Sequence, residues 1–176
     1  LEINHRGTST FTREEYLRIV REKTGHYLAA PIQGGAIAAG ADKSVLDHIA
    51  AMAHFLGPLF QIIDDIIDLT DGKGRETIGS DLREGKRSFL VAHVCEQATQ
   101  EDRARLLAIL DKTREQTTDE DIAEAITLFE RYGAIEAGRA YCSELHVQSQ
   151  RELAALPPSL GRPLAIVFEM LVNRSR

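Results

Sequence analysis

Phe60-Gln61-Ile62-Ile63-Asp64-Asp65-Ile66-Ile67-Asp68 sets three carboxylates into an otherwise strongly apolar stretch. At helical spacing Asp64 and Asp68 fall on one face, one turn apart. Gln61 and Asp71 extend that polar stripe, while Phe60, Ile62, Ile63, Ile66, Ile67 and Leu69 cover the rest of the surface. An unpaired carboxylate in such surroundings is costly, and three crowded together repel one another. A divalent cation removes both penalties. Hard oxygen ligands without His or Cys suit Mg²⁺, which keeps several waters and shares its remaining positions with phosphate oxygens. The stretch therefore reads as a magnesium-diphosphate site on a buried helix. The blander reading, an exposed acidic turn, fits poorly with the apolar density on both sides.

The bulk composition sets the frame. With 176 residues, 43% hydrophobic and 27% charged, the chain suits one globular domain over residues 1–176. Its net charge of −6 argues against a nucleic-acid partner, which calls for a basic surface. Cys95 and Cys142 match no metal spacing and read as reduced thiols of a cytoplasmic protein. No unbroken apolar run reaches the roughly 18 residues of a membrane span, and no secretory signal opens the chain. The six histidines show no metal-ligand spacing.

Working outward, the fold class is all-α, because no stretch alternates with the period of a strand. Thr12-Arg13-Glu14-Glu15 is a capping box, with Phe11 placed to staple onto Tyr16. The helix it opens extends to about Ala39, with Lys23-Thr24 in its middle and a kink or break expected at Pro31 and Gly34-Gly35. Asp42 caps the helix that carries the carboxylates, with a bend expected at Gly57-Pro58. From Asp71 to Arg87 the chemistry is that of a loop, and helical periodicity resumes near Ser88. Thr99 and Thr118 cap helices expected over Gln100–Gln116 and Asp119–Tyr132, and Gly133 ends the second. Ala134–Ala155 and Pro163–Val172 complete the set.

Three basic or polar clusters accompany the carboxylates: Lys23-Thr24, Lys73-Gly74-Arg75, and Gly79-Ser80-Asp81-Leu82-Arg83-Glu84-Gly85-Lys86-Arg87-Ser88. A diphosphate bridged by Mg²⁺ remains negative, and Lys or Arg donors are its usual complement. Taken singly, each cluster is an ordinary solvated loop or helix face.

In this order, Lys23-Thr24, then FQ-x-x-DD-x-x-D over 60–68, then the run from Gly79 to Ser88, the chain resembles the trans-isoprenyl (polyprenyl) diphosphate synthase family. Tyr132-Gly133-Ala134-Ile135 resembles the start of one of that family's late helices. The resemblance implies an antiparallel helical bundle around a central cavity, a homodimer, and Mg²⁺ as cofactor. The reaction it implies condenses isopentenyl diphosphate with an allylic diphosphate, head to tail. The implied metal residues are Asp64, Asp65 and Asp68, with Asp64 as the principal ligand. Lys23, Lys73 and Lys86 would donate to diphosphate, Thr24 and Gln61 would lie near the reacting carbons, and Phe60 would be among the substrate-binding residues.

Two departures qualify the match. The Gly-Lys pair found in many members shortly before Gly-Ser-Asp has no counterpart, which leaves Lys73 as a substitute. The family's first aspartate-rich motif, expected roughly 100 residues upstream of the second, has no match in Leu1–Leu59. The chain therefore reads as the C-terminal portion of a synthase with the N-terminal helices missing. A class I terpene cyclase and a non-catalytic partner subunit are the alternatives. Apolar residues on more than one face of the first two long helices predict a large exposed patch that pairs with another copy or with the missing helices.

Overall fold

A computed structural model describes residues 11–70 and 78–173. Every regular element among them is helical. The order is α1 (Arg13–Val20), a π-helical turn (Arg21–Gly25), α2 (His26–Ala38), α3 (Lys43–Thr70), α4 (Ser80–Arg83), α5 (Phe89–Gln97), α6 (Gln100–Leu110), a 3₁₀ turn (Arg114–Gln116), α7 (Asp119–Arg131), α8 (Ala134–Ala154) and α9 (Pro158–Val172). Backbone packing divides the described residues into two compact units: 11–19 with Asp64–Arg139, and Val20–Ile63 with 140–173. Helices α3 and α8 supply residues to both.

In the first unit the capping box forms as expected. Thr12 N–H donates to Glu15 Oε2 at 2.9 Å, and Glu15 N–H donates to Thr12 Oγ1 at 3.2 Å. Phe11 and Tyr16, the expected staple, are both buried. Helices α5, α6 and α7 pack on one another, burying Phe89, Leu90, Val94, Leu106, Leu110, Ile122 and Phe129. Ser88, Thr99 and Thr118 each accept a backbone N–H at the start of their helices. Helix α6 ends at Leu110, six residues before the expected boundary. A second start signal interrupts it: Thr113 N–H donates to the Gln116 side chain at 3.2 Å and closes a separate turn. The expected loop over 71–87 contains the short helix α4, entered through Gly79 in a left-handed conformation at φ 76°. A Cβ there would stand 2.8 Å from Ile122 Cγ2, so both backbone and space require glycine.

In the second unit the first helical stretch continues to Ala38. It is neither broken at Pro31 nor at Gly34-Gly35. The carbonyl that Pro31 leaves without a helical donor belongs to Tyr27, a residue 80% exposed and open to water. The departure from regular α geometry comes earlier, in the π turn that holds Lys23 and Thr24. Helix α3 runs unbroken through Gly57-Pro58 and buries Ile49, Met52, Leu56, Leu59 and Ile62. It has the length and composition to cross a membrane, but most of its apolar stretch is buried, as suits a core helix. Helix α9 starts at Pro158, five residues earlier than expected, because proline fits a first helical position whose N–H is unused. The predicted exposed apolar surface falls on α2 and α9, with Tyr27, Ile37, Ile166 and Met170 all more than half exposed, and not on α3.

Candidate metal centre

The last turns of α3 meet α4 and the segment after it inside the first unit. Asp65 is 3% exposed and Asp68 1%. Burial of two adjacent-turn carboxylates demands compensation, and the surrounding donors supply it. Asp68 Oδ1 accepts from Ser80 Oγ at 2.8 Å, and Asp68 Oδ2 accepts from the Asp81 backbone N–H at 2.9 Å. The Asp68 carbonyl accepts from Gly79 N–H at 2.9 Å. Asp68 therefore pins the start of α4 against the end of α3.

That pinning carries Asp81 to the other carboxylates. Oxygens of Asp64, Asp65 and Asp81 lie within 4.8 Å of one another, and these residues form the one such group among the described residues. Lys86 reaches into the group: its Nζ donates to Asp65 Oδ1 at 2.6 Å and to Asp81 Oδ2 at 2.8 Å. The second oxygen of Asp65 accepts from the Tyr16 hydroxyl at 3.0 Å. Tyr16 is itself held edge-on against Phe89, with ring centres 6.0 Å apart. Burial works to lower the Lys86 pKa, but the charges and hydrogen bonds of Asp65 and Asp81 outweigh it and hold the ammonium protonated beyond its ordinary range. The cavity lined by Asp65, Asp68, Asp81 and Lys86 is about 10 Å³, at the threshold for a single water.

The donor set consists of hard oxygens that converge from two segments. It fits a divalent cation of the Mg²⁺ type, and an ammonium already stands in the same group as a cationic stand-in. Of Asp64, Asp65 and Asp68, Asp64 is the least buried.

Of the residues expected from sequence, Asp64, Asp65 and Lys86 come together. Asp68 lies beside them with its oxygens directed at Ser80 and the Asp81 backbone. Lys23 and Thr24 belong to the second unit, Lys23 exposed and Thr24 half-buried in the π turn. Gly57 on α3 shapes that turn, since a Cβ there would come 2.7 Å from Gly25 N and 2.8 Å from Gly25 Cα. Phe60 and Gln61 are half-buried and precede Asp64 on α3. Lys73 and Arg75 lie outside the described residues. Two participants escaped the sequence reading. Tyr16 looked like a staple only, and Asp81 like part of a loop. The available signal for Asp81 was its place between Gly79-Ser80 and Lys86, five residues on.

Among the described residues every regular element is helical, and an oxygen-only carboxylate group with a lysine beside it stands where the end of α3 meets α4. Residues 1–129 match the polyprenyl synthetase family, and the chain belongs to that family. It is 34% identical over 167 residues to a short chain isoprenyl diphosphate synthase of Methanothermobacter thermautotrophicus, covering 93% of this chain and 50% of that protein. The crystal structure of a decaprenyl diphosphate synthase from Rhodobacter capsulatus superposes with a TM-score of 0.85 at 26% identity, over 99% of this chain and 54% of the other. A geranylgeranyl pyrophosphate synthase from Corynebacterium glutamicum, solved with isoprenyl diphosphate and magnesium, gives a TM-score of 0.84 at 26% identity, over 98% and 50%. The fold is that of the isoprenoid synthases. The chain spans about half the length of the curated relatives it matches.

Proposed function

We propose that the whole protein is a polyprenyl diphosphate synthase, which joins isopentenyl diphosphate to an allylic diphosphate head to tail in a Mg²⁺-dependent reaction. The observation that carries this reading is the convergence of Asp64, Asp65 and Asp81 within 4.8 Å in a chain of the polyprenyl synthetase family. The Corynebacterium glutamicum synthase was crystallised in complex with magnesium and isoprenyl diphosphate, which supports the choice of ion and ligand.

In this reading Asp64 would hold the ion, with Asp65 and Asp81 converging beside it, and Asp68, which fixes the start of α4, would support it through water. When bound, Mg²⁺ supplies charge neutralisation for the diphosphate as it leaves the allylic carbon. Lys23 and Lys86 donate hydrogen bonds to diphosphate oxygens, and Lys73 is a further donor in the reading. The side-chain dipoles of Thr24 and Gln61 would stabilise the carbon that becomes positive. Phe60, next to Gln61, lines the apolar surroundings that exclude water from the cation. The double bond of isopentenyl diphosphate then attacks that carbon, and loss of a proton completes the longer allylic diphosphate.

The protein acts as a homodimer in this account, a reading supported by the exposed apolar side chains of Tyr27, Ile37, Ile166 and Met170. A cytoplasmic location is supported by two buried free cysteines.

Incubation with labelled isopentenyl diphosphate, an allylic diphosphate and Mg²⁺ tests the function. The expected result is label in a longer prenyl diphosphate, lost with EDTA and in Asp64→Asn. A hydrocarbon product without incorporated label would instead identify a cyclase.

A further inference from the structure

We propose that Lys86 is an internal stand-in for the divalent cation, which must release Asp65 and Asp81 before the ion can enter and thereby couples metal binding to diphosphate binding. The proposal rests on the metal-diphosphate reading above and assigns a positioning role that the reading lacks.

The geometry supports displacement over coexistence. Lys86 Nζ lies 2.6 Å from Asp65 Oδ1 and 2.8 Å from Asp81 Oδ2, and both residues belong to the group whose oxygens could hold an ion. The other oxygen of Asp65 is taken by the Tyr16 hydroxyl. An ion that uses Asp65 therefore meets either the ammonium or the phenol. Of these, the phenol belongs to a fully buried ring packed on Phe89, whereas the ammonium sits at the end of a flexible four-carbon stem. The cavity of about 10 Å³ beside Asp65, Asp81 and Lys86 has no room for an octahedral ion that keeps several waters, so on that side space appears when the lysine head leaves.

The backbone at Lys86 stays in place while its head moves. Lys86 N–H donates to the Asp81 carbonyl at 3.0 Å, and Gly85 N–H donates to the Leu82 carbonyl at 2.9 Å. The side chain is 14% exposed, so a displaced ammonium needs a new anionic partner. A diphosphate attached to the entering ion provides one. Without it, the ion must evict a charge that has nowhere favourable to go. By linkage, the diphosphate that receives Lys86 tightens metal binding, and the metal tightens diphosphate binding by the same factor.

The test is Mn²⁺ binding by electron paramagnetic resonance to the full chain and to Lys86→Gln, first alone and then with inorganic pyrophosphate. Removing the competing ammonium should tighten Mn²⁺ binding in the absence of pyrophosphate by about tenfold, within the usual range for coupled sites. Pyrophosphate should then strengthen Mn²⁺ binding far more in the natural protein than in the variant. Equal or weaker Mn²⁺ binding by Lys86→Gln overturns the proposal, because Lys86 would then be a tie that holds Asp65 and Asp81 in place. A measurement on the unaltered protein guards against misfolding of the variant. Amine acylation of Lys86, read by peptide mass mapping, should rise at the Mn²⁺ concentration that the resonance titration shows to fill the site without pyrophosphate, and an unchanged level at that concentration overturns the proposal as well. Absence of Mn²⁺ binding from both proteins would overturn the metal reading itself, an outcome distinct from equal binding by the two.

Discussion

Tyr16 and Asp65 stand 49 positions apart in the chain and meet through a 3.0 Å hydrogen bond from the phenol to a carboxylate oxygen, both residues buried. The capping box that opens α1 thus does more than start a helix. It sets the register that delivers Tyr16 to the carboxylate, and Lys86 takes that carboxylate's other oxygen.

Tyr16→Phe keeps the ring against Phe89 and removes only the donor. A buried carboxylate deprived of a hydrogen bond loses about 1–3 kcal/mol, so the unfolding midpoint in urea should fall accordingly. Metal-dependent pyrophosphate binding should weaken in parallel, since Asp65 loses the contact that orients it.

Asp68→Asn separates anchoring from ion binding. The amide presents one acceptor where two donors, Ser80 Oγ and the Asp81 N–H, now converge. A loss of about 1–3 kcal/mol in stability is expected from the mispaired donor. Ser80→Ala, which removes just one of those donors, should lose less. A calorimetric comparison of the two variants checks the order.

Gly57→Ala sets two effects of opposite sign against each other. Helix propensity alone favours alanine by about 1 kcal/mol. The added Cβ, however, would press to within 2.7 Å of the Gly25 backbone, and overpacking of this kind costs about 1–3 kcal/mol. Net destabilisation is expected. Gly34→Ala and Gly35→Ala are the controls, because apart from the adjoining residues and the backbone of their own helix no described atom lies within 4 Å of a Cβ at either position; each should be neutral or stabilising by up to about 1 kcal/mol. Thermal unfolding of the three variants decides it.

Acid should weaken the first unit through Asp102 and Asp121. The Tyr132 hydroxyl, followed by Arg131, holds Asp102 below the ordinary carboxylate range. The Lys112 ammonium, followed by the Thr118 cap, does the same for Asp121. A carboxylate whose folded pKa is depressed contributes stability above its unfolded value of about 3.9 and loses it as pH falls through the folded value. Urea midpoints should therefore hold near neutrality and drop from about pH 4 downward. The double variant Asp102→Asn, Asp121→Asn should show a shallower drop.

What the sequence disclosed was local. The box at Thr12 and Glu15 and the caps at Thr99 and Thr118 are short-range hydrogen bonds between residues a few positions apart, so composition reveals them. The carboxylate helix was legible for the same reason, since its apolar face and polar stripe repeat with the helical period. The π turn around Lys23 and Thr24 was not, because no residue in Arg21–Gly25 announces it. Nothing local in that segment shows that the Gly57 backbone packs against Gly25. Asp81 and Tyr16 were missed on similar grounds. Their roles exist only once Asp68 has fixed the start of α4 and α1 has packed near the end of α3.

Titration of inorganic pyrophosphate into the chain by calorimetry, with Mg²⁺ and with EDTA, tests the central claim most directly. The account predicts binding only when Mg²⁺ is present and its loss in Asp64→Asn. Equal binding with EDTA, or full binding by Asp64→Asn, would contradict a metal-bridged diphosphate at the end of α3.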